Sequence, residues 1–154
     1  MRVLVDTSIW SLALRRAEHI RNSEVPELRR LITAHLVEII GPIRQEVLSG
    51  VRDQPQFDRL EDNLAAFSDV TLLSEDYVTA AKFFNLCRSK GVQGSNTDFL
   101  ICAVAVRHDF TVFTTDRDFF LFAKYLPITI HEIHGKIEQT PARYRRSRAE
   151  NSPR

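Results

Sequence analysis

The chain has 154 residues, 44% of them apolar, which suits one globular domain around a single core and leaves no room for a second catalytic domain. Lys and Arg nearly balance Asp and Glu at a formal charge of +1, so bulk charge announces no nucleic-acid partner, and any such partner must be read from a local site. The two cysteines, Cys87 and Cys102, are too few for a disulfide framework or a Cys-based zinc centre, and they fall in apolar helical patterns that suit free thiols in a reducing cytosol.

Val3-Leu4-Val5 reads as a short buried parallel strand, with Thr7 or Ser8 expected to cap the helical stretch Ile9 to Leu14. Glu24 to His35 carries Leu28, Leu31 and Ile32 at helical spacing and leads into the apolar run Val37 to Ile40. Gly41-Pro42 marks a turn into a helix through about Val51, and Phe57, Leu60, Leu64 and Phe67 predict the next helix. A third strand is expected over Val70 to Leu73, then a helix capped by Ser74 and ending near Gly91. Gly94-Ser95-Asn96 opens a helix over Thr97 to His108; Thr111 to Phe113 is a fourth strand, Asp116 to Ala123 a short helix, and Ile128 to Ile130 a fifth strand. This alternation predicts an α/β domain with a central parallel sheet flanked by helices over residues 1–135. From 136 to 154 the chain turns polar and basic and is expected to be a solvated, flexible tail, with weak attraction to RNA as the alternative. No segment approaches the roughly 20 apolar residues that span a bilayer, and Val3-Leu4-Val5 is far short of a signal-peptide core, so a soluble cytoplasmic protein is expected.

In open α/β sheets the ligand site lies beyond the carboxyl ends of the strands. Here that position is acidic: Asp6 follows the first strand, Glu46 lies in the helix after the second, and Asp116 and Asp118 follow the fourth. Asp98 stands in the first turn of the helix that leads into the fourth strand. Each has a plainer reading. Asp6 is able to cap a helix, although Thr7 and Ser8 offer substitutes; Glu46 alone would pass for a surface glutamate, but it follows Ile43 by three residues and so borders the buried face. Asp98 precedes Ile101, Cys102 and Ala105 at helical spacing, which puts a carboxylate on an apolar face, where a charge needs a partner. Asp116 and Asp118 also suit a helix start.

Carboxylates converging at one sheet end repel one another unless a cation holds them ionised, and an all-oxygen site suits Mg²⁺ or Mn²⁺. The segment His131-Glu132-Ile133-His134 spaces two histidines three apart but lacks the further ligands of a zinc site, and is expected mainly at the surface. No Walker loop, GxGxxG or GxSxG sequence occurs.

Val-Leu-Val-Asp6-Thr-Ser, the helical Glu46, Thr-Asp98-Phe-Leu-Ile-Cys-Ala and Thr-Thr-Asp116-Arg-Asp118-Phe resemble, in order and spacing, the successive motifs of PIN domains over roughly residues 2 to 130. The compact length resembles the VapC toxins of type II toxin–antitoxin pairs. The resemblance implies an RNA endonuclease, usually a homodimer, whose metal centre would be formed by Asp6, Glu46, Asp98 and Asp116, with Asp118 as an additional acid and Thr115 helping to orient the site. It also implies a VapB-like antitoxin. An inhibitor arginine is expected to pair with Asp98 or Asp116, with Trp10 and Leu14 helping to line the docking groove. Three other readings stand beside it: a PIN-type RNA-processing nuclease outside a toxin pair, a phosphatase with an aspartyl nucleophile at Asp6, and a non-enzymatic signalling or binding domain. The phosphatase pattern would place a second Asp where this chain has Ser8.

Overall fold

In the computed structural model, residues 1–14 and 22–134 are described. The basic tail expected over 136–154 lies outside the described residues. Four strands, β1 (Val3–Val5), β2 (Val37–Glu38), β3 (Thr111–Phe113) and β4 (Thr129–Ile130), form one all-parallel sheet in the order β2-β1-β3-β4. Around it pack α1 (Thr7–Leu14), α2 (Glu24–Thr33), α3 (Gly41–Leu48), α4 (Gln54–Leu64), α5 (Ser74–Ser89), α6 (Asn96–His108) and α7 (Arg117–Phe122). The expected α/β architecture is therefore present. β1 and β3 lie side by side in the middle with every side chain buried, which is why both read as unbroken apolar runs instead of alternating ones. Their register, Val5 opposite Phe113, sets Asp6 and Thr114 beside each other at the carboxyl edge of the sheet.

The expected third strand is not formed. Only Asp69 bridges to Ile39, and the following backbone is committed elsewhere: the Thr71 carbonyl accepts from Arg107 at 2.9 Å and the Leu73 N–H donates to Asp76 at 2.8 Å. Main-chain groups satisfied by side chains have no need of a ladder. That same Asp76 bond opens α5 at Leu73, so Ser74 is the first helical residue and not its cap.

Helix α6 is the central helix, buried from Phe99 through Ala105. Phe99 packs against Phe122 at 4.7 Å and against Phe84 at 5.4 Å, tying α6 to α7 and α5. Gly94 lies directly beneath this cluster, and a Cβ there would run into the Phe122 and Phe99 rings. Gly94→Ala is accordingly expected to cost about 1–3 kcal/mol through overpacking, seen as a lower denaturant midpoint at unchanged m-value. An unchanged midpoint would show that the rings yield freely.

Trp10 belongs to the core and not to a docking surface. It is 5% exposed, its indole N–H donates to the Val5 carbonyl at 3.2 Å, and its ring meets Phe67 edge-on at 5.4 Å. Its helical neighbour Leu14 is partly buried against the same core. Of the His131 to His134 segment expected mainly at the surface, Glu132 and His134 are exposed, whereas His131 is largely covered: its Nε2 lies 2.7 Å from the buried Glu27 carboxylate, which two guanidinium N–H groups of Arg30 also engage. The Arg30 bonds, assisted by His131, outweigh burial and hold Glu27 down at about 2. The His131–Glu27 contact fastens α2 to the end of β4.

Candidate active site

Asp6 directly follows β1 and is the first anchor of α1: its carbonyl accepts from Ile9 and Trp10, and its carboxylate accepts from the Ser8 N–H at 3.4 Å. It therefore caps the helix itself, which overturns the expectation that Thr7 or Ser8 would free it from that role. The physical reason is that α1 begins at Thr7, directly after Asp6, so only Asp6 precedes the first turn. Capping and site membership coexist. The side chain is only 6% exposed, and Oδ2 accepts from the Ser8 and Thr114 hydroxyls, each at 2.8 Å. Burial pushes the Asp6 carboxyl above its ordinary range, while the hydroxyl donors pull it back.

Thr114 carries the arrangement across the sheet. Its hydroxyl donates to Asp6 and accepts the Asp116 N–H at 3.0 Å, while the Ser8 hydroxyl accepts the Thr115 N–H at 3.1 Å. Asp116 then caps α7, accepting the Asp118 N–H at 2.9 Å. Thr115 thus joins the cluster through its main chain and is otherwise exposed, and Asp118 is exposed and contributes its N–H. Ser8, expected from the sequence only as a helix cap, and Thr114 are the polar members not assigned to the site there.

Asp98 forms a reciprocal cap with Ser95: its carboxylate accepts the Ser95 N–H at 2.9 Å, and its own N–H donates to the Ser95 hydroxyl at 3.1 Å. Burial raises the Asp98 carboxyl, and the negative charges of Asp6 and Asp116 raise it further against the Ser95 bonds. Three carboxylates from three separate elements therefore act on one another at one sheet end. Beneath Asp98, burial and the Asp98 charge push the Cys102 thiol up, so the floor of the site is neutral and apolar. Glu46, exposed on α3, reaches this region through a 2.7 Å bond from the Thr7 hydroxyl to its Oε2.

Among the described residues no three His, Cys, Asp or Glu side chains already enclose a common point as a finished metal cage would. The chemistry nevertheless fits a hard cation: the donors are carboxylate oxygens, and the mutual repulsion felt by Asp98 is what such a cation relieves. Cys87 and Cys102 are buried free thiols, and His131 is committed to Glu27.

Comparison with known proteins gives a consistent match. Residues 3–125 match the PIN domain model. The chain is 31% identical over 126 residues to a VapC ribonuclease of Mycobacterium bovis and to ribonuclease VapC11 of Mycobacterium tuberculosis, covering 79% of this chain and 92% of each relative. In fold it is similar to FitAcB from Neisseria gonorrhoeae, with a TM-score of 0.67 at 20% identity over 84% of this chain and 96% of that one. It is similar also to VapBC2 from Rickettsia felis bound to a promoter DNA fragment, with a TM-score of 0.66 at 20% identity over 86% of this chain and 98% of that one.

Proposed function

This chain belongs to the PIN-domain family, and on that premise we propose that it is a metal-dependent endoribonuclease, hydrolysing RNA phosphodiester bonds as the toxin of a toxin–antitoxin pair. The observation that carries the site assignment is the Thr114 hydroxyl joining Asp6 to Asp116 at the carboxyl edge of the sheet, with the charges of both raising the Asp98 carboxyl. Asp6, Asp98, Asp116 and Glu46 would hold Mg²⁺ or Mn²⁺, with Asp118 as a further acid at the rim. Bound there, the ion would supply Lewis-acid polarisation of the phosphodiester and a more acidic water.

The protein's own contribution is placement. Ser8 and Thr114 fix Asp6 in one rotamer, and the Ser95 cap fixes Asp98, so the carboxylates need not reorganise when substrate arrives. The attacking water would pass its proton to an oxygen acceptor at this edge of the sheet. In hydrolysis that water forms the new P–O bond and the bridging P–O bond breaks.

The test is incubation of the full chain with RNA in Mg²⁺ or Mn²⁺, in EDTA, and with a phosphomonoester. Internal RNA cuts that vanish in EDTA, with the monoester untouched, are expected. Monoester turnover without RNA cleavage would instead favour the phosphatase.

The partners proposed on the same reading are a VapB-like antitoxin and a second copy of the chain, in the cytoplasm; no described helix is long and apolar enough to cross a membrane. The solved neighbour from Rickettsia felis is a VapBC2 complex, which supports looking for such a partner. An antitoxin arginine reaching Asp98 or Asp116 would engage a carboxylate with a planar two-donor fork, which lysine lacks. Burial of Trp10 removes it from the docking groove expected from sequence. Co-expression with an adjacent small protein, if one is encoded, is expected to give a complex that does not cut RNA, and changing that partner's arginine to lysine is expected to restore cutting. A neighbour that binds without suppressing cleavage would overturn the inhibition while leaving the nuclease standing.

A further inference from the structure

Glu46 is tied to the residue next to Asp6, and in a manner unlike the three aspartates. Asp6, Asp98 and Asp116 are each held at a strand end or helix cap by bonds within their own turn or to the neighbouring strand. Glu46 stands exposed on α3, and its long side chain has three rotatable bonds to fix. The hydroxyl of Thr7 donates to its Oε2 at 2.7 Å across 39 residues of sequence. Thr7 immediately follows Asp6, and Ser8, which holds Asp6, comes next.

We propose that Thr7 is a positioning residue for Glu46, so that the first turn of α1 orients carboxylates from two elements at once: Asp6 through Ser8, and Glu46 through Thr7. The proposal rests on the nuclease reading of the site. Capturing Oε2 leaves Oε1 facing a fixed direction, so a cation or ordered water meets a prepared oxygen instead of a mobile one. The alternative is a plain structural tie between α1 and α3, in which the bond could be lost without consequence for ligand binding.

The experiment uses the full chain and Mn²⁺ alone as probe, followed by electron paramagnetic resonance, alongside the Mn²⁺ dependence of RNA cleavage. Thr7→Val keeps shape and removes the donor; Thr7→Ser keeps the donor; Glu46→Gln supplies the background for a double-mutant cycle. Thr7→Val is expected to weaken Mn²⁺ binding and raise the Mn²⁺ needed for half-maximal cleavage by about tenfold, the range seen when a residue orienting a ligand is removed. Thr7→Ser should stay within about twofold, and Thr7→Val should add little once Glu46→Gln is present. An unfolding midpoint measured without metal separates this from loss of fold.

Unchanged Mn²⁺ binding in Thr7→Val, with the parent active, would overturn the positioning role alone. So would an undiminished effect of Thr7→Val in the Glu46→Gln background. A parent chain that neither binds Mn²⁺ nor cuts RNA would overturn the nuclease reading and this proposal with it.

Discussion

Asp6→Asn and Asp98→Asn are each expected to reduce RNA cleavage by on the order of a thousandfold, because each removes one negative charge where several kcal/mol of transition-state stabilisation are gathered. Both changes keep side-chain volume, and the amide oxygen of asparagine is able to accept the Ser8, Thr114 or Ser95 hydrogen bonds. The fold therefore remains. Stability in metal-free buffer supplies an independent reading with a definite sign. Asp98 has a folded pKa raised above its unfolded value by burial and by the charges of Asp6 and Asp116, so the folded state holds the proton more tightly. The favourable contribution of the protonated carboxyl is present at acid pH and is lost as pH rises through the raised value. At neutral pH the ionised Asp98 is thus a liability without metal, and Asp98→Asn is at least as stable as the parent; the gap closes on acidification through that window. Added Mg²⁺ stabilises the parent more than the variant. Chemical denaturation of both proteins between pH 4 and 7, with EDTA and with Mg²⁺, measures all of this. Full cleavage by either variant would remove that carboxylate from the site, and a large loss of stability in EDTA would make its capping bond the main role.

The sheet and most of the acidic cluster were legible because two rules act locally. Unbroken apolar runs mark strands buried on both faces, and residues just beyond them line the carboxyl edge, which picks out Asp6 and Asp116 directly. Asp98 was legible from helical spacing, since a carboxylate in line with Cys102 and Ala105 has to face the interior. What the sequence withheld depends on partners distant in the chain. The run Val70 to Leu73 has strand-like composition, and only the folded position of Arg107 and Asp76 shows where its backbone bonds go. Trp10 resembled an exposed anchor because nothing local reveals Phe67 against its edge. His131 looked like a surface residue because Glu27, its partner, stands 104 positions away.

The same limit governs the pair Thr114 and Thr115, and it makes the sharpest test of the site. Two adjacent threonines follow β3, and the choice between them depends on the register Val5 opposite Phe113, which no single sequence displays. In the folded protein the Thr114 hydroxyl does two things: it donates to the buried Asp6 carboxylate at 2.8 Å and accepts the Asp116 N–H at 3.0 Å. Thr114→Val fits the same space but leaves Asp6 short of a donor and the Asp116 N–H without its acceptor. Such losses cost about 1–3 kcal/mol for each buried group, so a destabilisation of about 2–4 kcal/mol is expected, with partial compensation by the Ser8 hydroxyl. Cleavage should fall by about 10- to 100-fold in conditions where the variant is still folded, because Asp6 and the α7 cap lose their common anchor. Thr114→Ser keeps the hydroxyl and should recover most of both. Thr115→Val, at an exposed position whose contribution comes from its main-chain N–H, should stay within about 0.5 kcal/mol and keep activity. Denaturation midpoints and initial cleavage rates for the three variants decide the matter. Equal damage from Thr115→Val and Thr114→Val would mean that the Thr115 side chain also holds the acidic centre, and that the hydroxyl linking β3, α7 and Asp6 does not act alone.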